Sequence, residues 1–227
     1  MKRVFLFTVP ELNYQKKDLN VPNSENRYYI GQLSRMITNA IFLSHSLREN
    51  VIIRIFVYNE VSHLIEIRSE SIRYLGPEER SSASILRKVE EFVRNNFSTQ
   101  IKEHPNYWFE PNPGIKLKIT QNCFENLIDA KTKKIKFIQL VKKIEEKEIP
   151  NKLPLRKFEF LLLNSEKKYD IIIIHIDINQ YKVTSDLLQE KINDNKNSEW
   201  DFTSLNISHN SDNSKLVGLF NLILDQN

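Results

Sequence analysis

Apolar and polar positions change period along the chain often enough to mark out a series of elements. Val4–Val9 is a continuous apolar run ended by Pro10, the sign of a buried first strand. A polar stretch to about Asn26 follows. Within Tyr28–Ser44, the residues Leu33, Met36, Ile37, Ala40, Ile41 and Leu43 mostly fall at three- and four-residue spacing, which predicts a helix with one buried face. Val51–Tyr58 and His63–Ile72 are β-branched runs parted by Asn59 and Glu60, and they predict two strands. Leu75–Phe97 is the best-marked helix. Pro77 suits a first helical position, Glu78 and Glu79 sit at the positive end of the helix dipole, and Ile85, Val89, Phe92, Val93 and Phe97 form a stripe.

A loop rich in proline and aromatics (Pro105, Trp108, Pro111, Pro113) leads to an alternating strand over Gly114–Ile119, and Phe124 opens a short helix. Residues 131–157, dense in Lys and Glu and carrying Pro150 and Pro154, predict an exposed helix and linker. Phe158–Asn164 and Asp170–Ile178 are unbroken apolar runs of the kind buried on both faces of a parallel sheet. Lys182–Ile192 reads as a helix and Trp200–Leu205 as a strand. Ser214–Leu224 reads as a helix so apolar that its own domain or a second subunit must cover it. The sum is a single α/β domain over residues 1–227, a mostly parallel sheet flanked by helices.

Composition narrows the chemistry. The chain has four glycines where about 16 would be average. It therefore has no Gly-rich phosphate or dinucleotide loop, which excludes P-loop nucleotide hydrolases and typical Rossmann dehydrogenases. One cysteine, Cys123, forms no internal disulfide, and without clustered histidines no zinc site is expected. The net charge of +4 permits a nucleic-acid partner without arguing for one. No apolar stretch is long enough to cross a bilayer, and Met1–Pro10 lacks the pattern of a secretion signal, so a cytoplasmic location is expected.

Four places carry candidate chemistry. Ser44 and His45 are adjacent, so on a helix they point about 100° apart, and no acid is placed to orient the histidine. A hydrolase is rejected, and the pair is expected to satisfy backbone groups at a helix end. Arg48, on the following turn, either grips a phosphate or carboxylate or is a surface residue. Glu79 and Arg80 offer an anion site at a helix start, or else a dipole-capping acid and a solvated cation. His175 and Asp177 share one side of a strand near its C-terminal end, where open α/β sheets bind ligands; an ordinary core histidine is the alternative. Gly114, within Asn112–Ile115, is expected to take a positive φ.

Read in order, Ala40–Val51 (AIFLSHSLRENV), Pro77–Lys88 (PEERSSASILRK) and Asn112–Ile115 (NPGI) resemble the TrmY family of archaeal tRNA pseudouridine N1-methyltransferases, members of the SPOUT superfamily. The resemblance covers roughly residues 28–128. It implies a homodimer, expected to pair through the apolar last helix, whose C-terminal segment, residues 158–227, threads a trefoil knot, with S-adenosylmethionine bound by the knot loops and the methyl group passed to N1 of pseudouridine in the tRNA T-loop. Ser44, His45, Arg48, Glu79 and Arg80 match the family's motif positions, with Arg48 as the expected backbone grip, and Arg35, Arg54 and Lys88 would extend a basic track. The cofactor region would draw on Leu162, Leu163, Ile174, His175, Asn179, Leu205, Asn206, Ile207, Ser208 and Leu216, with Asp177 as a base or ribose ligand.

The chain also departs from the family pattern. Where the family has Gly-Arg-x-Asp before the first helix, Tyr28–Ser34 has no carboxylate. Its Gly-Asp-His-x-Gly and Leu-Ser/Gly-Pro-Leu loops are met by His175–Asn179 and Asn206–Asn210, where bulkier residues would narrow a pocket that glycines keep open. Two functions follow: a tRNA pseudouridine N1-methyltransferase, or a catalytically lapsed relative that keeps the dimeric fold and binds RNA or a partner protein.

Overall fold

In chain order the elements are β1 (Lys2–Val9), α1 (Glu25–Ile41), β2 (Val51–Val57), β3 (His63–Arg68), α2 (Glu79–Asn96), β4 (Phe109–Asn112), β5 (Ile115–Ile119), β6 (Lys134–Lys143), β7 (Ile171–Asp177), β8 (Glu199–Ser208) and α3 (Asn213–Asp225), with a 3₁₀ turn at Lys16–Leu19. They come from a computed structural model that describes residues 1–12, 16–19, 25–58, 61–96, 103–104, 107–124, 126–128, 132–143, 169–178, 199–208 and 212–225. The expected strand at 158–164 and helix at 182–192, and with them Leu162, Leu163 and Asn179, lie outside the described residues.

The strands form one sheet in the order β4-β5-β3-β2-β1-β7-β6-β8. From β2 to β8 the pairings are parallel, and β2-β3, β3-β5 and β4-β5 are antiparallel. The largely apolar runs of β1, β2 and β7 are explained by this placement: they are the central strands, buried on both faces. Alternate residues serve alternate faces. Phe5, Phe7, Ile53, Ile55, Ile174 and Ile176 pack under α1, α2 and α3 with Met36, Leu86 and Phe220, whereas Val4, Leu6, Ile52, Ile171 and Ile173 meet Phe124, Leu127 and Phe137 on the other side. Each such side chain, fully buried, contributes roughly 2 kcal/mol.

Several expectations are corrected. Residues 134–143, expected within an exposed helix and linker, are an inner strand, β6, held between β7 and β8. Its alternation Ile135-Lys136-Phe137 was hidden by the lysine content. Lys136 is nevertheless buried, with its ammonium 3.1 Å from Asp201 and over the Tyr169 ring. The short helix expected from Phe124 is a turn, closed by Leu127 N–H to the Phe124 carbonyl at 2.9 Å. Phe109–Asn112, read as loop, is a strand. The best-marked helix starts at Glu79, because Pro77 and Glu78 belong to the turn that precedes it. Asn206–Ser208, expected in a cofactor loop, continue strand β8 and pair with Val141–Lys143. The apolar last helix is covered by its own domain: Val217, Phe220, Ile223 and Leu224 are buried in the core that α1 shares, and Leu222 is left exposed.

Two edges of the parallel block matter for function. At the C-terminal edge stand Thr8–Val9, His175–Asp177, Asn206–Ser208 and the start of α3. At the opposite edge Asn50–Val51, Arg68–Ile72 and Asn112–Ile115 come together through Arg3 N–H to Asn50, Ser69 N–H to Val51 and Arg73 N–H to Pro113. The eight residues of β1 separate these edges by about 25 Å.

Candidate functional site

The Ser44-His45 stretch is a tight hairpin hung from the end of α1. Its backbone closes on itself, with Leu43 N–H to Ser46 O at 2.8 Å and Arg48 N–H to Ile41 O at 2.7 Å. Ser44 and His45 are exposed, and the carbonyls they were expected to satisfy at the end of α1 are met by other side chains. Arg48 does that work: its Nη1 donates to the carbonyls of Asn39 (3.0 Å) and Phe42 (2.6 Å), and its Nε donates to Asp225 at 3.0 Å. Asn221 adds Nδ2 bonds to the carbonyls of Asn39 (2.9 Å) and Ala40 (3.1 Å). Arg3 completes the clasp with bonds to Asp225, to Asn221 Oδ1 and to the Leu224 carbonyl. Burial works against the Asp225 carboxylate, but hydrogen bonds from Arg3 and Arg48 outweigh it and hold its pKa below the usual carboxylate value. The guanidinium expected to grip RNA is thus engaged in holding α3 to the end of α1.

Arg54 does not belong to a basic track. It is fully buried on β2 opposite Glu66, donating from Nε at 3.0 Å and also from Nη2, while Nη1 reaches the Cys123 carbonyl at 3.0 Å. The physical reason is register: Ile52, Arg54 and Phe56 share the inner face, and a charge there must be paired. Burial lowers the Arg54 pKa while Glu66 opposes the change. Arg35 and Glu79 are brought together as a half-exposed ion pair at 3.0 Å, a contact worth about 0–1 kcal/mol. Arg80 and Lys88 stand exposed on α2. Gly114 has φ +79°, as expected, and a Cβ there would lie 2.6 Å from Ile72 Cα. Only glycine lets the Asn112–Ile115 hairpin press on the Ser71–Ile72 backbone.

At the other edge, Ile174 and His175 are fully buried within β7, Ile174 under the helices and His175 on the opposite face, 6.0 Å from the Phe137 ring. Thr8 Oγ1 lies 3.1 Å from His175 Nε2, and His175 Nδ1 has no partner. Burial pushes the imidazole pKa down to about 3, so the ring is neutral. Asp177 ends the strand half-buried. Leu205 is buried on β8, and Leu216 is partly buried in the first turn of α3. Asp212 caps α3 by accepting from Ser214 N–H (2.8 Å) and Oγ (2.6 Å). Burial would raise its pKa, but the Ser214 bonds and the charges of Arg35 and Lys215 prevail and lower it. Asn213 is fully buried with neither its amide oxygen nor its nitrogen hydrogen-bonded. Such unmet polar atoms are uncommon in a folded interior.

Of the residues expected to hold the nucleoside part of S-adenosylmethionine, the half-buried Asp177 would serve ribose hydroxyls or take a proton and Leu216 would give apolar surface, whereas Leu205 and the nearby Asn213 are buried. Among the described residues, no cluster of His, Cys, Asp or Glu is placed to hold a metal ion, and no helix is long and apolar enough to cross a membrane. Sequence reasoning missed Thr8, Asp212, Asn213, Asn221 and Asp225. Signals did exist: Asp212-x-Ser214 is a helix-start pattern, and a lone Asn221 inside an apolar helix calls for a partner.

Comparison with known proteins bears on these segments. Residues 20–152, more than half of the chain, match the family described as "Putative SAM-dependent RNA methyltransferase". The tRNA (pseudouridine(54)-N(1))-methyltransferase of Haloarcula marismortui is 32% identical over 108 residues, 48% of this chain and 49% of the relative. The enzymes of the same name from Methanococcoides burtonii and Methanosarcina mazei are 38% identical over 72 residues and 31% over 91. Those matches cover 31% and 39% of this chain, and 35% and 41% of the relatives. The chain thus spans half or less of the length of these curated relatives. The hairpin at Ser44-His45, the turn into α2 and the Gly114 hairpin all lie inside the family match, and the chain belongs to this family of SAM-dependent RNA methyltransferases.

Proposed function

We propose that the protein is a tRNA pseudouridine N1-methyltransferase that draws its methyl group from S-adenosylmethionine. The observation that carries this reading is the family match over residues 20–152, joined by relatives named for that reaction. S-adenosylmethionine, when bound, supplies an electrophilic methyl group. Asp177, at the end of β7, accepts the proton that N1 of pseudouridine gives up as its bond to the methyl carbon forms. The rest is positioning, which alone supplies a large part of the acceleration in such transfers.

The edge bearing Ser44, His45, Arg73 and Gly114 and the edge bearing Asp177 and Asn213 lie too far apart for one small substrate to touch both within a single copy. In this reading a homodimer closes the gap, each copy offering its motif-bearing edge to the other's cofactor edge. The C-terminal segment threads as a knot, a reading supported by the order β1-β7-β6-β8, in which the later strand β7 sits inside β6. The protein works in the cytoplasm, where tRNA is its partner.

A second reading, a lapsed relative that binds RNA without transferring methyl groups, is favoured by one observation: Ile174 and His175 are sealed in the core at positions expected to meet the cofactor. Titration of the purified protein with S-adenosylmethionine by calorimetry and thermal shift separates the two. The enzyme binds saturably, with a stabilisation of about 2.7 kcal/mol at ligand one hundred times Kd. Absence of binding at millimolar ligand supports the second reading.

A further inference from the structure

We propose that Tyr74 is a stacking platform for an unpaired nucleobase of the RNA substrate. The inference rests on the RNA methyltransferase reading and assigns it a contact residue outside the three motifs. Tyr74 is the most exposed large hydrophobic side chain among the described residues, at 86%. Its φ is +60°, a left-handed conformation that bulky residues avoid. Among the described residues, the other non-glycine residues of positive φ are Asn50 and Asn126, a type that tolerates it through local hydrogen bonding. A strained aromatic held out into water gains nothing for folding, and strain of this kind gathers at functional sites.

The surrounding loop is built rather than slack. Ile72 is buried beneath it, Arg73 N–H is tied to the Pro113 carbonyl at 3.4 Å, Gly114 packs on Ser71, and Gly76 N–H donates to Ser81 Oγ at 2.8 Å. This joins the Gly114 hairpin to the turn entering α2, so Tyr74 projects between two of the segments that the family match contains. Arg73 next to it in the chain and Arg80 in the first turn of α2 are also exposed, cations of the kind that meet phosphates beside a stacked base. Exposed Glu70 and Glu78 offset them in charge, so the contribution of Tyr74 comes from stacking and is nearly independent of salt.

The test measures binding of a tRNA transcript by fluorescence anisotropy at several salt concentrations, together with melting temperature and mass by light scattering. Tyr74→Ala weakens binding about tenfold with the slope of log affinity against log salt unchanged, and Tyr74→Phe binds as wild type does. Tyr74→Gly loses the same affinity yet melts higher, since glycine relieves the backbone conformation. Undiminished binding by Tyr74→Ala while wild type binds would overturn the stacking role alone, and so would a loss of dimer mass with RNA affinity kept. Failure of wild type to bind tRNA at all would overturn both this role and the methyltransferase reading.

Discussion

Acid should destabilise this protein through His175 from about pH 6.5 downward. The imidazole is fully buried against Phe137, one nitrogen meets the Thr8 hydroxyl, and Nδ1 faces no acceptor, so a second proton would sit buried and unpaired. Its pKa falls from 6.5 in the unfolded chain to about 3 in the folded one. Because the folded value is the lower, the unfolded state binds more protons between these limits, and stability is whole above pH 6.5 and falls as the pH drops. From pH 7 to pH 5 the loss is about 2 kcal/mol, and each further unit costs about 1.4 kcal/mol until the folded group itself titrates. The assay is urea unfolding at a series of pH values for wild type and His175→Leu. The variant loses baseline stability, since it leaves Thr8 Oγ1 unpaired, but its pH dependence above pH 5 should flatten. Equal slopes for the two proteins would refute the reasoning.

Removing the charge from Arg54 in Arg54→Met leaves Glu66 buried without its main partner and should destabilise by about 3–5 kcal/mol in urea unfolding, with tRNA affinity of the folded fraction unchanged. Gly114→Ala meets both a positive φ and the Ser71–Ile72 backbone, and should lower stability by about 2 kcal/mol or more by the same measurement. Arg48→Ala should release the last turn of α3, seen as faster amide exchange at Leu222–Asp225, and cost about 2 kcal/mol; a fall in tRNA affinity without that exchange signature would restore the RNA-gripping role.

Elements with unmixed periodicity were legible in the sequence. The strands β1, β2 and β7 and the helices α1, α2 and α3 follow from apolar runs or stripes, and the positive φ of Gly114 follows from its turn. Strand β6 was not legible, because Lys134, Lys136, Lys142 and Lys143 give it the composition of a solvated helix, and only the partner Asp201 explains a buried lysine there. The site was read less well than the fold. The sequence shows that Arg48 and Arg54 are arginines but not that Asp225, 177 residues away, and Glu66 neutralise them, since ion pairing across elements depends on topology. It also hid the separation of Ser44 and His45 from His175 and Asp177, which only the parallel order of the strands reveals.

The most direct measurement is transfer of labelled methyl from S-adenosylmethionine to a tRNA carrying pseudouridine in its T-loop, with Asp177→Asn alongside wild type. The proposed chemistry predicts label on N1 of that base from wild type and a rate lowered about 10²-fold or more in the variant. Saturable tRNA binding with no transferred label, from protein that also fails to bind S-adenosylmethionine, would contradict it.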